Sequence, residues 1–121
     1  MKKAAWKRRI VEACELAGTY RDYFVPVIDT LASILEKRDD AQDAFEKSGS
    51  VALIKHTNKA GASNYEQNPL IRLVNDLNRD ALAYWRDLGL TPAGLKRINE
   101  DSLKPKKTNL LADVLADLSG D

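Results

Sequence analysis

The 121-residue chain has few of the residues from which enzyme and metal sites are built. It contains one cysteine, Cys14, and one histidine, His56. A single cysteine cannot form an internal disulfide, which favours a reducing compartment. One histidine argues against a histidine-based metal cluster, and neither residue lies in a recognisable catalytic motif. We therefore expect no catalytic residue, no metal and no cofactor, and we interpret Cys14 as a core residue.

Two further absences narrow the function. The sequence has no Gly-x-x-x-x-Gly-Lys-Ser/Thr loop, so the chain is not expected to hydrolyse ATP. Its longest aliphatic run, Val51 to Ile54, is far too short to span a membrane, and the basic start lacks the continuous apolar segment of a signal peptide. We expect a non-enzymatic protein without membrane association that stays in the cell that makes it.

The net charge of +1 conceals alternating charged blocks. Residues 1–18 carry five basic and two acidic side chains, a net charge of +3. Residues 19–50 carry four basic and seven acidic side chains, a net charge of −3. Residues 89–108 are again +3, and the last thirteen residues are −3. Such blocks indicate partners of opposite charge, including other copies of the chain; the alternative is that they are solvated surfaces.

Residues 69–88 have the clearest helical pattern. Pro69 suits the first turn of a helix, because its missing N–H would be unpaired there. Gly89 can close this helix, Thr91 can cap the next one, and Pro92 can begin it. Apolar residues recur at alternating spacings of four and three and form a heptad-like seam: Leu70, Val74, Leu77, Ala81, Tyr84 and Leu88.

Two helices are predicted before this one. The first runs from Ala4 to Ala17 and ends at Gly18. Thr19, with an aspartate three residues later, resembles a capping pair that opens a long second helix reaching about Lys47. A proline near its start either lies in the first turn or kinks the helix. One face of this helix is apolar: Tyr20, Phe24, Val27, Leu31, Ile34, Ala41 and Phe45.

The segment between the long helices predicts a β-hairpin. An apolar run at 51–57, a glycine-containing turn and a polar run at 63–67 follow one another, although the apolar run is also compatible with a helical extension. The expected fold is mainly α: an antiparallel long-helix hairpin with a short β-hairpin between the helices and short flanking helices, assembling into a ring. The expected division is a basic N-terminal helix at 1–18, an oligomerisation core at 19–100, and a linker with a docking segment at 101–121.

Asn68-Pro69, the seam, and the run Asp87-Leu88-Gly89-Leu90-Thr91-Pro92 occur in this order after a helix and a polar hairpin. This arrangement resembles the small subunit of tailed-phage DNA-packaging terminases over roughly residues 19–100. The chain departs from many relatives at Gly94-Leu95, where they carry Ser-Arg. The resemblance implies a non-catalytic, ring-forming protein that binds phage double-stranded DNA and regulates the ATPase and nuclease of the large subunit, in the cytoplasm of the infected bacterial host.

The basic residues are the candidates for DNA contact, because cations neutralise backbone phosphates. An N-terminal cluster comprises Lys2, Lys3, Lys7, Arg8 and Arg9, with Trp6 among them. Its alternatives are a solubilising end or a membrane-surface helix. A second set, Arg72, Arg79 and Arg86, forms one stripe at a spacing of seven; the alternative is that these arginines pair with Asp76, Asp80 and Asp87. We expect the first cluster to contribute more, because it would reach phosphates without breaking ion pairs.

Two apolar sets are the candidates for protein contacts. Each long helix has a wider apolar face than one partner covers, which indicates self-association. The predicted oligomerisation residues are Phe24, Leu31, Ile34, Leu70, Val74, Leu77 and Tyr84. An aliphatic stripe in a tail too short to fold alone predicts docking onto the large subunit through Leu110, Leu111, Val114, Leu115 and Leu118; the alternative is that the tail folds back onto its own domain.

Two function classes remain open on these grounds. The first is the small terminase subunit described above, with DNA, the large subunit and further copies of the chain as partners. The second is a small helical DNA-binding or adaptor protein with no packaging role. A compact helix-turn-helix repressor is disfavoured, because the dominant helices are too long and too seam-like.

Overall fold

The computed structural model describes residues 1–100 and Leu115. Its elements are α1 (Lys3–Ala17), α2 (Val25–Lys47), β1 (Leu53–Thr57), β2 (Ser63–Gln67), α3 (Pro69–Asp87) and α4 (residues 92–100). A single 3-10 turn, Asp22–Phe24, precedes α2. The prediction of a mainly helical chain with an antiparallel β-hairpin between two long helices is therefore confirmed.

Helix α2 lies at the centre and packs against both α1 and α3. Four of its side chains, spaced by three, one and three residues, have no exposed surface: Ile28, Leu31, Ala32 and Leu35. Helix α1 contributes Ile10 and Cys14 to the same core, and α3 with its C-terminal end contributes Ala81 and Leu88. One face of one helix therefore supplies the centre of a core that serves all three helices.

The buried stripe of α2 differs from the predicted one. Of the apolar residues predicted to line its inner face, Phe24, Val27 and Ile34 only border the core, whereas Ile28 and Leu35 occupy its centre. The physical reason is that α2 is covered on two flanks. Its apolar arc is consequently wider than a stripe facing a single partner, and the spacing pattern alone does not show where the middle of the arc lies.

The predicted seam of α3 lies inside the protomer and faces α2. The guanidinium Nη1 of Arg38 donates to Oδ1 of Asn78 at 3.1 Å, which fixes the register of two helices running in opposite directions. Leu35 lies three residues before Arg38, and Ala81 lies three residues after Asn78. Both residues belong to the core. All six seam residues are buried or half-buried. The seam is therefore largely used by the chain itself.

Asn68 holds the start of α3 against the base of the hairpin. Its Oδ1 accepts from the backbone N–H of Leu70 at 3.0 Å, and its Nδ2 donates to the carbonyl of Val51 at 2.9 Å. Its own N–H donates to the carbonyl of Ala52 at 2.8 Å. The side chain is only 3% exposed. Asn68 thus caps α3, as asparagine does at helix starts, and also closes the hairpin.

The hairpin projects into solvent. Its strands pair antiparallel, with Leu53 opposite Gln67 and Thr57 opposite Ser63. Asn58 closes the turn by accepting from the N–H groups of Ala60 and Ala62 at 3.0 and 2.9 Å. Nine of the ten strand residues are exposed, so both faces of the hairpin are accessible to solvent. An isolated two-stranded hairpin is only marginally stable, and here its base is held by Asn68.

Thr19 ends α1 and does not open α2. Gly18 adopts a left-handed φ of +74°, and the N–H of Thr19 then donates to the carbonyl of Cys14 at 2.9 Å, closing the helix. The predicted capping pair of Thr19 and Asp22 is therefore wrong. Helix α2 begins only at Val25, and Pro26 lies in its first turn, where the lost N–H has no helical partner.

The corner between α3 and α4 is tightly packed. Gly89 has a φ of +72°, and a Cβ there would lie 2.7 Å from Cδ1 of Ile98 and 2.9 Å from Cγ2 of Thr19. Thr91 caps α4 by accepting from the N–H of Gly94 at 3.0 Å, as predicted. A Cβ on Gly94 would overlap the carbonyl oxygen of Arg86. Glycine at 94 therefore lets α4 rest directly on the end of α3.

Replacement of Gly89 by alanine should destabilise the protein more than replacement of Gly18. Both glycines are left-handed, so each substitution should lower the free energy of unfolding by about 1–2 kcal/mol through backbone strain. Only Gly89 is crowded, and the overlap with Ile98 and Thr19 should add about 1–3 kcal/mol. Urea unfolding of the two variants tests this, and equal losses would contradict the packing described for the corner.

Candidate nucleic-acid and subunit-contact surfaces

The N-terminal basic cluster is divided by contacts with α2. Lys3 and Lys7 both reach the Asp29 carboxylate, with N–O distances of 3.1 and 3.5 Å. Lys2, Arg8 and Arg9 are exposed and form no ion pair with any described residue. The expectation that the whole cluster reaches phosphates without breaking ion pairs is therefore not met by Lys3 and Lys7.

A row of three carboxylates on α2 holds the start of α1. Besides Asp29, Glu36 accepts from the backbone N–H of Lys3 at 2.6 Å. Asp39 accepts from Nε1 of Trp6 at 2.7 Å, from the amine of Met1 at 2.8 Å, and from Arg38. The indole of Trp6 therefore serves as an anchor within the protomer, and it is only half-buried.

Two guanidinium groups lie near the Trp6 ring. The Cζ of Arg38 is 5.6 Å and that of Arg9 is 6.0 Å from the ring centroid, both within the range of a cation–π contact. Arg38 also binds Asp39, so it belongs to the same contact set as the indole. The guanidinium of Arg9 forms no ion pair with any described carboxylate.

Two carboxylates of this row, those of Asp29 and Asp39, are stabilised in their charged form. Hydrogen bonding from Lys3, with further attraction from Lys7, lowers the pKa of Asp29 below its ordinary 3.8. For Asp39, partial burial raises the pKa, but donation from the N-terminal amine, Trp6 and Arg38 outweighs it and leaves the pKa below 3.8. Both aspartates therefore favour the folded state when ionised.

The second basic set forms an exposed row along α3. Arg72, Arg79 and Arg86 are all exposed, and steps of seven residues separate them by about 10.5 Å along the helix axis. Arg79 pairs with Asp76 at 3.5 Å, an exposed contact of little strength. Among the described residues, Arg72 and Arg86 have no ionic partner. This pair is three residues apart and is not among the pairings at separations of one and four on which the alternative rests, and none of those forms within the described chain.

The predicted oligomerisation residues differ in accessibility. Leu31 has no exposed surface and stabilises the protomer core, so it is not available to another subunit. The other six are half-buried, in part by the packing of α2 against α3: Phe24, Ile34, Leu70, Val74, Leu77 and Tyr84. Only the exposed part of each of these side chains is available for a contact between subunits.

Several exposed apolar side chains are ones that the sequence reasoning missed. On α3, Leu73 and Leu82 are 45% and 46% exposed, and in the first half of the chain Leu16 and Tyr23 are 85% and 73% exposed. Nine residues at 100° each place Leu73 and Leu82 about 180° apart around α3. A sequence signal was present, because neither leucine fits the spacing of the seam and both therefore fall outside the face that α2 covers.

The polar and thiol groups do not form a catalytic site within the part of the chain that the structure describes. Cys14 is fully buried in the core, as expected, and burial raises the pKa of its thiol despite a hydrogen bond with Thr19. His56 lies on the exposed hairpin, with Nε2 3.3 Å from Glu66. No group of three or more potential metal ligands occurs among these residues, and no helix among them is long and apolar enough to cross a membrane.

The predicted docking segment is almost entirely outside the described residues. Leu110, Leu111, Val114 and Leu118 are not described. Leu115 is helical and 57% exposed.

Replacement of Asp39 by asparagine should lower the free energy of unfolding by about 1–2 kcal/mol near neutral pH, because charge-assisted hydrogen bonds to Trp6 and Arg38 are weakened. Since the folded pKa is depressed, the stabilisation exists above the ordinary 3.8 and is lost as pH falls through the folded value. The difference from wild type should therefore shrink in acid.

Urea unfolding at neutral and acidic pH measures this difference. Asp40→Asn is the matched control, since Asp40 is exposed and makes no ion pair with a described residue. Equal effects of the two substitutions near neutral pH would contradict the role given to the carboxylate row.

Comparison with known proteins gives one finding. A family model described as phage terminase, small subunit, matches residues 3–104, which is most of the chain. The searches of curated proteins and of solved structures give no significant match.

Proposed function

Because the chain belongs to the phage terminase small-subunit family, whose members are generally non-catalytic, we propose that it binds double-stranded phage DNA as a homo-oligomeric ring and regulates the large terminase subunit during genome packaging. The regulated activities are the ATPase and nuclease of the large subunit, and the site of action is the cytoplasm of the infected bacterium. The family match disfavours an adaptor with no packaging role.

The arginine row of α3 is the observation that carries the DNA-binding proposal. Three guanidinium groups lie on one exposed face, and within the described chain only Arg79 has a carboxylate partner. Guanidinium groups bind phosphate through a planar fork of donors, and each neutralised phosphate releases condensed counterions from the duplex. Arg72 and Arg86 can therefore bind the DNA backbone without losing an ion pair to a described residue, and Arg79 gives up only an exposed one.

The N-terminal cluster is proposed as a second, weaker contact. Lys2, Arg8 and Arg9 are free to meet phosphates, whereas Lys3 and Lys7 would have to exchange the Asp29 carboxylate for a phosphate. That exchange cancels part of the electrostatic gain. The ion pair of the arginine row, Arg79 with Asp76, is more exposed than the two pairs of Asp29 and is weaker for that reason. We therefore rank the arginine row above the N-terminal cluster, which reverses the order expected from the sequence.

The exposed leucines of α3 support a ring. Leu73 and Leu82 lie on opposite sides of the helix, so one α3 can meet a neighbour on each side. Contacts between two different patches generate a head-to-tail assembly, which closes into a ring when the rotation permits. The half-buried residues predicted for oligomerisation on α2 and α3 would lie beside these contacts. The arginine row lies on the face of α3 between Leu73 and Leu82.

Regulation of the large subunit is assigned to the tail, on sequence grounds. Five aliphatic residues within 110–118 follow a linker containing Lys104, Pro105, Lys106 and Lys107. A helix this short is unstable alone and gains stability by docking into an apolar groove. The tail could dock onto the large subunit or fold back onto its own domain. Docking onto the large subunit agrees with the regulatory role proposed for this chain.

Replacement of Arg72, Arg79 and Arg86 by glutamine should weaken duplex binding and flatten its salt dependence. Each lost phosphate contact reduces the slope of log affinity against log salt by roughly 0.9. The slope of the triple variant should therefore be smaller in magnitude than that of the wild type by about 2–3. Fluorescence anisotropy with a labelled duplex over a range of salt concentrations measures the slope.

The control is the triple variant Arg21→Gln, Lys37→Gln and Lys47→Gln, which removes the same charge from exposed positions away from α3. It should bind nearly as the wild type does. Absence of duplex binding by the wild type would contradict the DNA-binding function, and an unchanged slope in the α3 variant would instead remove the arginine row from it.

A further inference from the structure

A second arginine meets the end of the row from another helix. An open notch at the α3–α4 corner is lined by Arg86, Asp87, Gly94, Arg97 and Ile98. Arg86 belongs to the row on α3, whereas Arg97 belongs to α4 and was not among the DNA-binding residues predicted from the sequence. Two guanidinium groups from different elements therefore border one concavity.

The α3–α4 corner packs the segments that carry these two arginines closely together. Gly94 rests on the carbonyl of Arg86, with no space for a Cβ between them. Ile98 reaches Gly89 at the other side of the corner, and Leu88 and Gly89 are buried. The backbones that carry Arg86 and Arg97 are consequently packed against each other, and the freedom that remains belongs to the side chains.

The charge in the notch is available for an external anion. Within residues 1–100 neither Arg86 nor Arg97 forms an ion pair, and Asp87 is the one acidic residue among those lining the notch. Lys96, the neighbour of Arg97, differs in this respect, because its Nζ lies 3.9 Å from Glu100. Two guanidinium groups that have no ion pair in this part of the chain and face one concavity match a phosphate, whose oxygens accept several hydrogen bonds at once.

We propose that Arg86 and Arg97 jointly bind one backbone phosphate of double-stranded DNA in this notch. The inference rests on the proposed DNA-binding function and adds α4 to the DNA-binding surface. Arg72 and Arg79 then meet the backbone along α3, while the notch holds a phosphate between two helices. DNA contact at this point depends on the position of α4, which directly precedes residues 101–121 in the chain.

The test is a double-mutant cycle in duplex binding. Arg97→Gln should flatten the salt slope by up to roughly 0.9 and weaken binding. Either substitution removes one of the two groups that bind the same phosphate. The fold-loss of duplex affinity in the double variant Arg86→Gln, Arg97→Gln should therefore be clearly smaller than the product of the fold-losses in the single variants. A double loss equal to that product would overturn the shared phosphate.

Three further variants test the geometry. Lys96→Gln removes the same charge from the same helix and should bind as the wild type does, since this lysine is paired with Glu100. Gly94→Ala should weaken binding with both arginines present, because its Cβ displaces α4 from Arg86. Asp87→Asn should tighten binding by removing the negative charge of the notch. Thermal melts establish that each variant is folded.

The outcomes separate this inference from the function on which it rests. If the wild type binds duplex while Arg97→Gln keeps the wild-type affinity and slope, the notch is not a DNA site and the DNA-binding function stands. If the wild type does not bind duplex, both fail. Inorganic phosphate at constant ionic strength should displace duplex more readily from the wild type than from Arg97→Gln, and equal displacement from both would overturn the phosphate site in the notch.

Discussion

The structure depends on burial of one helix from two sides. Ile28, Leu31 and Leu35 of α2 have no exposed surface, and both α1 and α3 need that surface to cover their own apolar residues. Full burial of such a side chain contributes about 1.5–3 kcal/mol, whereas an exposed ion pair contributes about 0–1 kcal/mol. Apolar packing on α2 therefore positions the helices, and the carboxylate row around Asp39 fixes how the start of α1 lies on them.

This use of α2 determines which surfaces remain for function. Because the seam of α3 is packed against α2, the chain presents outward the other faces of α3, with the arginine row and the leucines at 73 and 82. The carboxylates of α2 likewise neutralise part of the N-terminal basic cluster. The proposed DNA and subunit contacts are thus the parts of each helix that the protomer core does not use, and the α3–α4 corner joins them to the segment proposed to dock on the large subunit.

Features set by local chain chemistry were predictable from the sequence. Pro69 in a first turn, the left-handed Gly89, the Thr91 cap and the hairpin all depend on residues close in the chain. Features set by long-range packing were not. The Asp29 contact with Lys3 and Lys7 spans more than twenty residues, and no local pattern indicates it.

The same distinction explains the local errors. Thr19 was assigned to the wrong helix because a threonine followed by an aspartate fits a helix start, while the glycine before it fits a helix end equally well. The centre of the α2 stripe was misplaced because its width depends on two partners. Arg97 was not among the predicted DNA-binding residues because the role proposed for it depends on the contact of α4 with Arg86.

The central claim is that α3 uses its seam within the protomer and its exposed leucines, Leu73 and Leu82, between subunits. Hydroxyl-radical footprinting of the wild-type protein at low and high protein concentration tests it. The account predicts that Leu73 and Leu82 are oxidised in dilute protein and become protected together as the assembly forms, while Val74 and Leu77 change little. Protection of Val74 and Leu77 on assembly, with Leu73 and Leu82 still reactive, would contradict it.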